Sequence, residues 1–415
     1  METIVHSEGF VQSASDLSCG PLKGIKVLDI ATVIAGPLSA TLLADLGAEV
    51  LKVEMPHSGD HLRYLPPHKD GIPLWHKVVN RNKKGITLDL RTPEGLSLLE
   101  ELLASQDVLV ENFRPGTLER WGLSSERIFS INPHLIVLRV TGFGQTGPYC
   151  GKPGFARIFE GLSGFTNICG SADGPPMYPG YPVSDSLTGV FGAMAIAAAL
   201  HHRDRHPDRP GQEIDLSATE AMFRIIDFMA IEYDQLGHIR KRSGNLSAYS
   251  APSDVYRTSD NKWIGLAVSA PTVFSRLAHA LDREEWLTDD RFSTNVARLE
   301  NRDEIEKQVR DWFLARTAGE VARTLTDHDV SFSQIYDIKD IFEDPHFAAR
   351  EAVVSVQDSD FGTVRMQNVV PKFSHTPGRV WRSGPSLGEH NQEILGDLLG
   401  YGKEEIDHLI AQRVI

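Results

Sequence analysis

Three stretches near the start of the chain follow one another closely: GIKVLDIA at 24–31, AGPLSATLLADLG at 35–47 and AEVLKVE at 48–54. The first and third are short apolar runs of β character. The middle one has Pro37 near its start and Gly47 just past its end, the usual punctuation of a helix. Strand, helix and strand in so short a span imply two parallel strands joined by a right-handed crossover. The alternation continues. KGITLDL (84–90), DVLVEN (107–112), HLIVLRVTGFG (134–144) and GQEIDLS (211–217) read as further strands, and TPEGLSLLEELLASQ (92–106) as a helix capped by Thr92. Repeated alternation of this kind predicts an α/β fold with a doubly wound, Rossmann-like parallel sheet.

The texture changes near residue 250. YRTSDNKWIGLAVS (256–269) reads as a hairpin turning at Ser259–Lys262, followed by short amphipathic helices at 271–281 and 302–315. We expect a flexible extension over 1–20, a large domain from 21–225 and 350–415, a small α+β domain over 246–345, and linkers at 226–245 and 346–375. TEAMFRIIDFMAIEYDQLGH (219–238) is expected as one long helix, and the last thirty residues as two helices. The run HHRDRHPDRPGQ (201–212) is expected to be a solvated turn.

Composition narrows the function. At 415 residues the chain is long enough for two cores, and its net charge of −14 disfavours a phosphate backbone as partner. Cys19, Cys150 and Cys169 show no paired spacing, which suits a reducing, cytoplasmic setting. The first twenty residues lack the pattern of a signal peptide. The small-residue helix expected at 186–200 falls short of the roughly 18 uninterrupted apolar residues of a membrane span. Neither nucleic acid nor membrane is therefore an expected partner. A metal is not expected either, since no HExxH, facial-triad or EF-hand spacing occurs.

Two enzyme signatures fail. A dinucleotide loop needs G-x-G-x-x-G after the first strand, but ATVIAGPLSA offers only Gly36, and Glu54 reads as a plain surface glutamate. GLSGF (161–165) is not the G-x-S-x-G of a serine hydrolase, its serine lying one place late. The segment PVSDSLTG (182–189) is more informative. It puts a lone acid, Asp185, after a Gly- and Pro-rich loop and directly before a helix without charge. On local grounds a helix cap is the commoner role. The same N–H groups and helix dipole would keep the carboxylate ionised, and an ionised carboxylate in a dry pocket can attack a thioester. Local chemistry leaves both roles open.

Six ordered motifs decide the matter: residues 21–54, then NRNKKGITLDL, VENFRPGTLERWGL, TGFGQTGPY, PVSDSLTG and GQEIDLSATEA, with PSLGEHNQEIL near the end. Together they resemble the family III CoA-transferases, a group that includes formyl-CoA, carnitine and dicarboxylate CoA-transferases and, as relatives, the α-methylacyl-CoA racemases. The resemblance implies a Rossmann-like large domain built from both chain ends, a small domain between them, and two chains interlocked as a homodimer. It implies that Asp185 is the nucleophile, passing through an aspartyl anhydride and an aspartyl-CoA thioester. It assigns coenzyme A contacts to Ile34, Ala35, Leu88, Arg91, Asn112, Phe113 and Arg120. It requires no prosthetic group, the CoA thioester being a substrate.

Departures from the family pattern select among its reactions. Where racemases carry Gly-His-Asp the chain has Gly154-Phe155-Ala156, and where they carry a glutamate it has Ser269. Proton exchange at Cα needs two bases, so a racemase or epimerase is the lesser alternative, beside an intramolecular CoA-transferase or a non-catalytic CoA-binding protein. Ile34 replaces the glutamine of formyl-CoA transferases, and VSAPT (268–272) replaces their glycine-rich lid, which argues against oxalate and formate. Met55 stands where an arginine is usual. The expected reaction moves CoA from succinyl-CoA to a small di- or hydroxy-carboxylate, with Arg157 a candidate partner for a distal carboxylate.

Overall fold

The computed structural model describes residues 20–415. The expected extension, except Gly20, and Cys19 lie outside the described residues. The chain forms two compact units. The larger runs to Phe165 and adds Pro179–Ile231 and Ala349–Ile415, and the smaller comprises Thr166–Tyr178 and Glu232–Ala348.

Six strands form the sheet of the larger unit: β1 (Lys26–Asp29), β2 (Glu49–Glu54), β3 (Lys83–Thr87), β4 (Val108–Glu111), β5 (Ile136–Thr141) and β6 (Gln212–Ser217). Every pairing is parallel and the order is β3-β2-β1-β4-β5-β6. This is the doubly wound order expected from the alternation. Its central strands are apolar on both faces because helices cover both. On one face α1 (Ala35–Asp45) and a later helix bury Val27, Val50, Val110 and Leu138. On the other, α2 (Pro93–Leu103) packs Leu98, Leu99 and Leu102 onto Leu28, Leu109 and Val137, joined by Ile394, Leu395, Ile406 and Leu409 from the chain's end. The Thr92 hydroxyl accepts from the N–H of Gly95, the expected cap.

The chain's end also closes an edge. The Gly85 N–H donates to His390 Nδ1 at 3.1 Å, the His390 N–H donates back to the Gly85 carbonyl, and Thr87 N–H donates to Asn391 Oδ1 at 2.9 Å. The segment around GEHNQ thus covers strand β3, whose outer N–H and C=O groups would otherwise be unpaired.

Two further helices carry the candidate site residues Arg157 and Asp185, α3 (Ala156–Leu162) and α4 (Val183–Arg205). At 23 residues α4 exceeds the helix expected at 186–200, and by length and composition alone it could cross a membrane. Its glycines show what it does here. A Cβ at Gly189 would come within 2.9 Å of the Leu38 side chain, and one at Gly192 would overlap Ser39 Oγ. Small residues let α4 lie close against α1, and Ile196 and Leu200 enter the core. The helix expected over 219–238 is two, Ala218–Arg224 and Asp227–Leu236. The break falls at Ile226, which turns inward against Gly164, while the Asp227 carboxylate takes up the Phe228 N–H.

The smaller unit has an antiparallel sheet of Phe332–Gln334, Trp263–Ala267 and Ser253–Arg257, the last two forming the expected hairpin. Helices at Pro271–Ala280, Arg302–Leu314 and Ala318–Asp327 bury Leu277, Val309 and Val321 against it. Arg298 is buried there. It donates to the carbonyls of Ala251 and Phe292 and lies 3.9 Å over the Phe274 ring.

Candidate active site

In an open parallel sheet, ligands bind beyond the carboxyl ends of the strands, where successive connections leave in opposite directions. Here that point lies between β1 and β4. The two segments that leave it are tied together: Thr32 N–H donates to Asn112 Oδ1 at 2.8 Å, and Asn112 Nδ2 donates back to the Thr32 carbonyl at 2.7 Å. The residues assigned to coenzyme A follow strand ends on this same carboxyl edge. Ile34 and Ala35 come after β1, Leu88 and Arg91 after β3, and Asn112, Phe113 and Arg120 after β4.

Their side chains differ in what they can offer. Ile34 and Leu88 are buried in apolar clusters, so any ligand contact there is through the main chain. Arg91 is exposed and forks onto Asp89, with Nη2 to Oδ2 at 2.7 Å. Arg120 donates to Thr117 Oγ1 at 2.9 Å from an exposed position. A guanidinium held this lightly at the surface can turn to a phosphate at little cost. Phe113 packs edge-on to Trp121, and its N–H donates to Glu111 Oε2 at 2.7 Å. Burial pushes the Glu111 carboxyl up to about 7. Glu54, expected as a surface residue, is instead buried and takes a two-pronged ion pair from Arg63 at 2.7 Å, which reaches in from the segment after β2.

Asp185 is not the cap of α4. Pro182 holds that position, no side chain caps the helix, and Asp185 is its third residue. Packing of Gly189 on Leu38 and of Gly192 on Ser39 sets α4 alongside α1, both helices starting at the carboxyl edge of the sheet. One turn back from Gly189 and Leu38 lie Asp185 and Ile34, so the first turn of α4 starts beside the turn that follows β1.

Helix α3 pins this end. Ser184 N–H donates to Glu160 Oε1 at 3.2 Å and Ser184 Oγ donates to the Ala156 carbonyl at 3.2 Å. Glu160 is buried, and it gave no sign in the sequence beyond being a lone acid in an apolar stretch. Its proximity alters Asp185. Burial, and then the charge of Glu160, push the Asp185 carboxyl up to about 7. The expectation that helix N–H groups keep it readily ionised is therefore corrected. Desolvation outweighs the dipole at this site. A carboxylate poorly solvated in its ionised form is a stronger nucleophile than one stabilised by hydrogen bonds. Arg157 lies on the exposed face of the first turn of α3, next to the Ala156 carbonyl that anchors Ser184.

A doubly wound sheet with a half-buried acid in the first turn of a helix that starts at its carboxyl edge suits α/β enzymes that act on a ligand laid across the strand ends. Residues 22–391 match the model of CoA-transferase family III, and the chain belongs to that family. It is a CoA-transferase. It is 44% identical, over 95% of its length and 98% of the relative, to succinyl-CoA–D-citramalate CoA-transferase of Chloroflexus aurantiacus. It is 41% identical, over 95% and 98%, to the beta subunit of succinyl-CoA–L-malate CoA-transferase of the same organism. Among solved structures, a CaiB/BaiF family protein of Brucella suis superposes with a TM-score of 0.82 at 33% identity, covering 92% of this chain and 100% of that one.

Proposed function

We propose that this enzyme moves CoA from succinyl-CoA to a small di- or hydroxy-carboxylate, with Asp185 as nucleophile. The observation that carries the reading is the desolvated Asp185 carboxylate in the first turn of α4, at the sheet edge where the residues assigned to coenzyme A lie. The acceptor class is supported by relatives whose names pair succinyl-CoA with citramalate and malate. Asp185 attacks the succinyl carbonyl carbon, the C–S bond breaks, and a mixed anhydride and CoA thiolate result. The thiolate attacks the Asp185 carbonyl and expels succinate, leaving an aspartyl-CoA thioester. The acceptor carboxylate then attacks that thioester and expels the thiolate, which attacks the acceptor's acyl carbon and frees Asp185. One thioester replaces another, so the protein's task is positioning and exclusion of water. Neither Phe155 nor Ala156 can act as the second base of a racemase.

Incubation of the enzyme with succinyl-CoA and a panel of carboxylic acids, read by mass spectrometry, should yield a new acyl-CoA and free succinate. Hydrolysis alone, with no new thioester from any acid, would overturn the proposal. In the same assay Arg157→Ala should raise the acceptor KM about tenfold and leave the succinyl-CoA KM nearly unchanged. An unchanged acceptor KM would remove Arg157 from the acceptor site.

A homodimer is part of this reading. Val190 and Met194 on α4 and Phe223 and Ile225 after β6 are large apolar side chains left exposed in the isolated chain. Exposed apolar side chains of that size are surface a partner chain can cover. Light scattering should give twice the chain mass of 45.9 kDa, and a single-chain mass at micromolar concentration would count against it.

A further inference from the structure

The turn between β1 and α1 contains a backbone that its residue type resists. Val33 has φ of 67°, in the left-handed region where a β-branched side chain is strained. Such a conformation persists only where its surroundings enforce it. Here the enforcing groups are identifiable. The Val33 N–H donates to both carboxylate oxygens of Asp60, at 2.9 and 3.1 Å. Asp60 comes from the segment after β2, and its side chain is fully buried. It also accepts from Leu62 N–H at 2.9 Å, and its own N–H donates to Glu54 Oε2 at 2.9 Å, which fixes its rotamer and position.

Beneath it lies a buried cation. Lys52, in the middle of β2, places its ammonium 3.4 Å from Asp60 and 3.8 Å from Asp29 and donates to the Ala31 carbonyl. Burial disfavours that charge, yet Asp29 and Asp60 hold its pKa above the ordinary lysine range. Asp29 in turn accepts the Ala31 N–H at 3.0 Å and pairs with Lys83 at 2.8 Å. Three consecutive residues, Ala31, Thr32 and Val33, thus have their N–H groups held by Asp29, Asn112 and Asp60 in turn. The next residues are Ile34 and Ala35. A large investment of buried charge has been made in a turn that the packing of a core does not need.

We propose that Asp60, seated on Lys52, is the positioning residue of the CoA-ester site: it holds Val33 in its strained conformation and so presents the Val33–Ala35 main chain to the thioester end of the ligand. The inference rests on the proposed function for the identity of the ligand. Asp60 itself does not touch the reacting atoms. It acts through Val33.

Glycine tolerates a positive φ, so the role separates from mere charge balance. Asp60→Asn should raise the KM for the CoA ester at least tenfold while the carboxylate KM stays within twofold. Adding Val33→Gly to Asp60→Asn should recover most of that loss, because glycine sits in the turn without being forced. Asp60→Glu keeps the charge facing Lys52 but misplaces the carboxylate. It should also raise the CoA-ester KM, and it serves if the asparagine variant does not fold. Hydrogen exchange over residues 31–38 should quicken in both single variants and slow again on adding Val33→Gly. Unchanged CoA-ester KM and exchange in both single variants, or no recovery from the added glycine, would overturn the proposal. If the wild-type enzyme processed no CoA ester, the proposed function would fall, and the exchange data with the glycine rescue would still decide the role of Asp60.

Discussion

Asp185→Asn should abolish CoA transfer, lowering kcat by at least about a thousandfold, while the variant folds and still binds CoA esters. The carboxamide is isosteric but cannot open a thioester to give an anhydride. Because Asp185 makes no cap bond, amidation removes nothing that holds α4. The stability change has a definite sign. A carboxyl whose folded pKa, about 7, lies above its unfolded value of 3.8 takes up more protons folded than unfolded between those limits. Stability from this group is therefore full below pH 3.8 and is lost as pH rises towards 7. Above pH 7 the wild type carries a desolvated charge and the asparagine variant does not. Asp185→Asn should thus unfold at a higher temperature than wild type at pH 8, and the gap should narrow at pH 5. An inactive variant that is also more stable is the pattern of a site strained for chemistry. Full transfer activity in Asp185→Asn would reduce Asp185 to a structural residue. Loss of activity with loss of folding would leave the nucleophile to be tested by trapping the aspartyl-CoA intermediate with hydroxylamine.

The sequence carried the sheet because the sheet depends on short-range pattern. Apolar runs separated by helical stretches announce parallel strands, and the boundaries of α1 follow from Pro37 and Gly47. Strand order follows less directly, yet only a few arrangements satisfy right-handed crossovers. What could not be read is pairing through space. Lys52 stands inside a buried strand and Asp29 ends another, and a charge in such a place has to find a partner. That much was available in the sequence. That Asp60 would be Lys52's partner, and Val33 its object, depends on a left-handed turn that valine does not advertise. The two helices between 218 and 236 read as one because their apolar residues keep a helical rhythm across Ile226, and only packing against Gly164 shows the bend. Asp185 illustrates the same limit. Its place after a loop and before a helix suggested a cap, whereas the structure begins the helix earlier and seats the acid third in it, where burial decides its charge.

Glu160 is the neighbour that the sequence concealed, and after burial it is the second influence on how the enzyme should respond to pH. The rate should fall below about pH 7 as Asp185 takes up a proton and loses its nucleophilic form. The terminal phosphate of a CoA ester also ionises at about pH 6. The part of the kcat/KM inflection that belongs to Asp185 is therefore read as the difference between wild type and a variant given the same substrates. Glu160→Gln keeps an oxygen for the Ser184 N–H and removes the charge that opposes ionisation of Asp185. The inflection should move to lower pH, but not to the ordinary aspartate range, because desolvation is the larger cause and remains. At pH 6 the variant should then be the faster enzyme relative to its own plateau. At pH 8 it should be no faster than wild type, since both carry an ionised Asp185 and the wild-type carboxylate is the more basic nucleophile. An unmoved inflection with an intact plateau would show that the two carboxyls do not couple. A collapsed plateau with an unmoved inflection would instead make Glu160 an anchor for Ser184, with desolvation alone setting the acidity of the nucleophile.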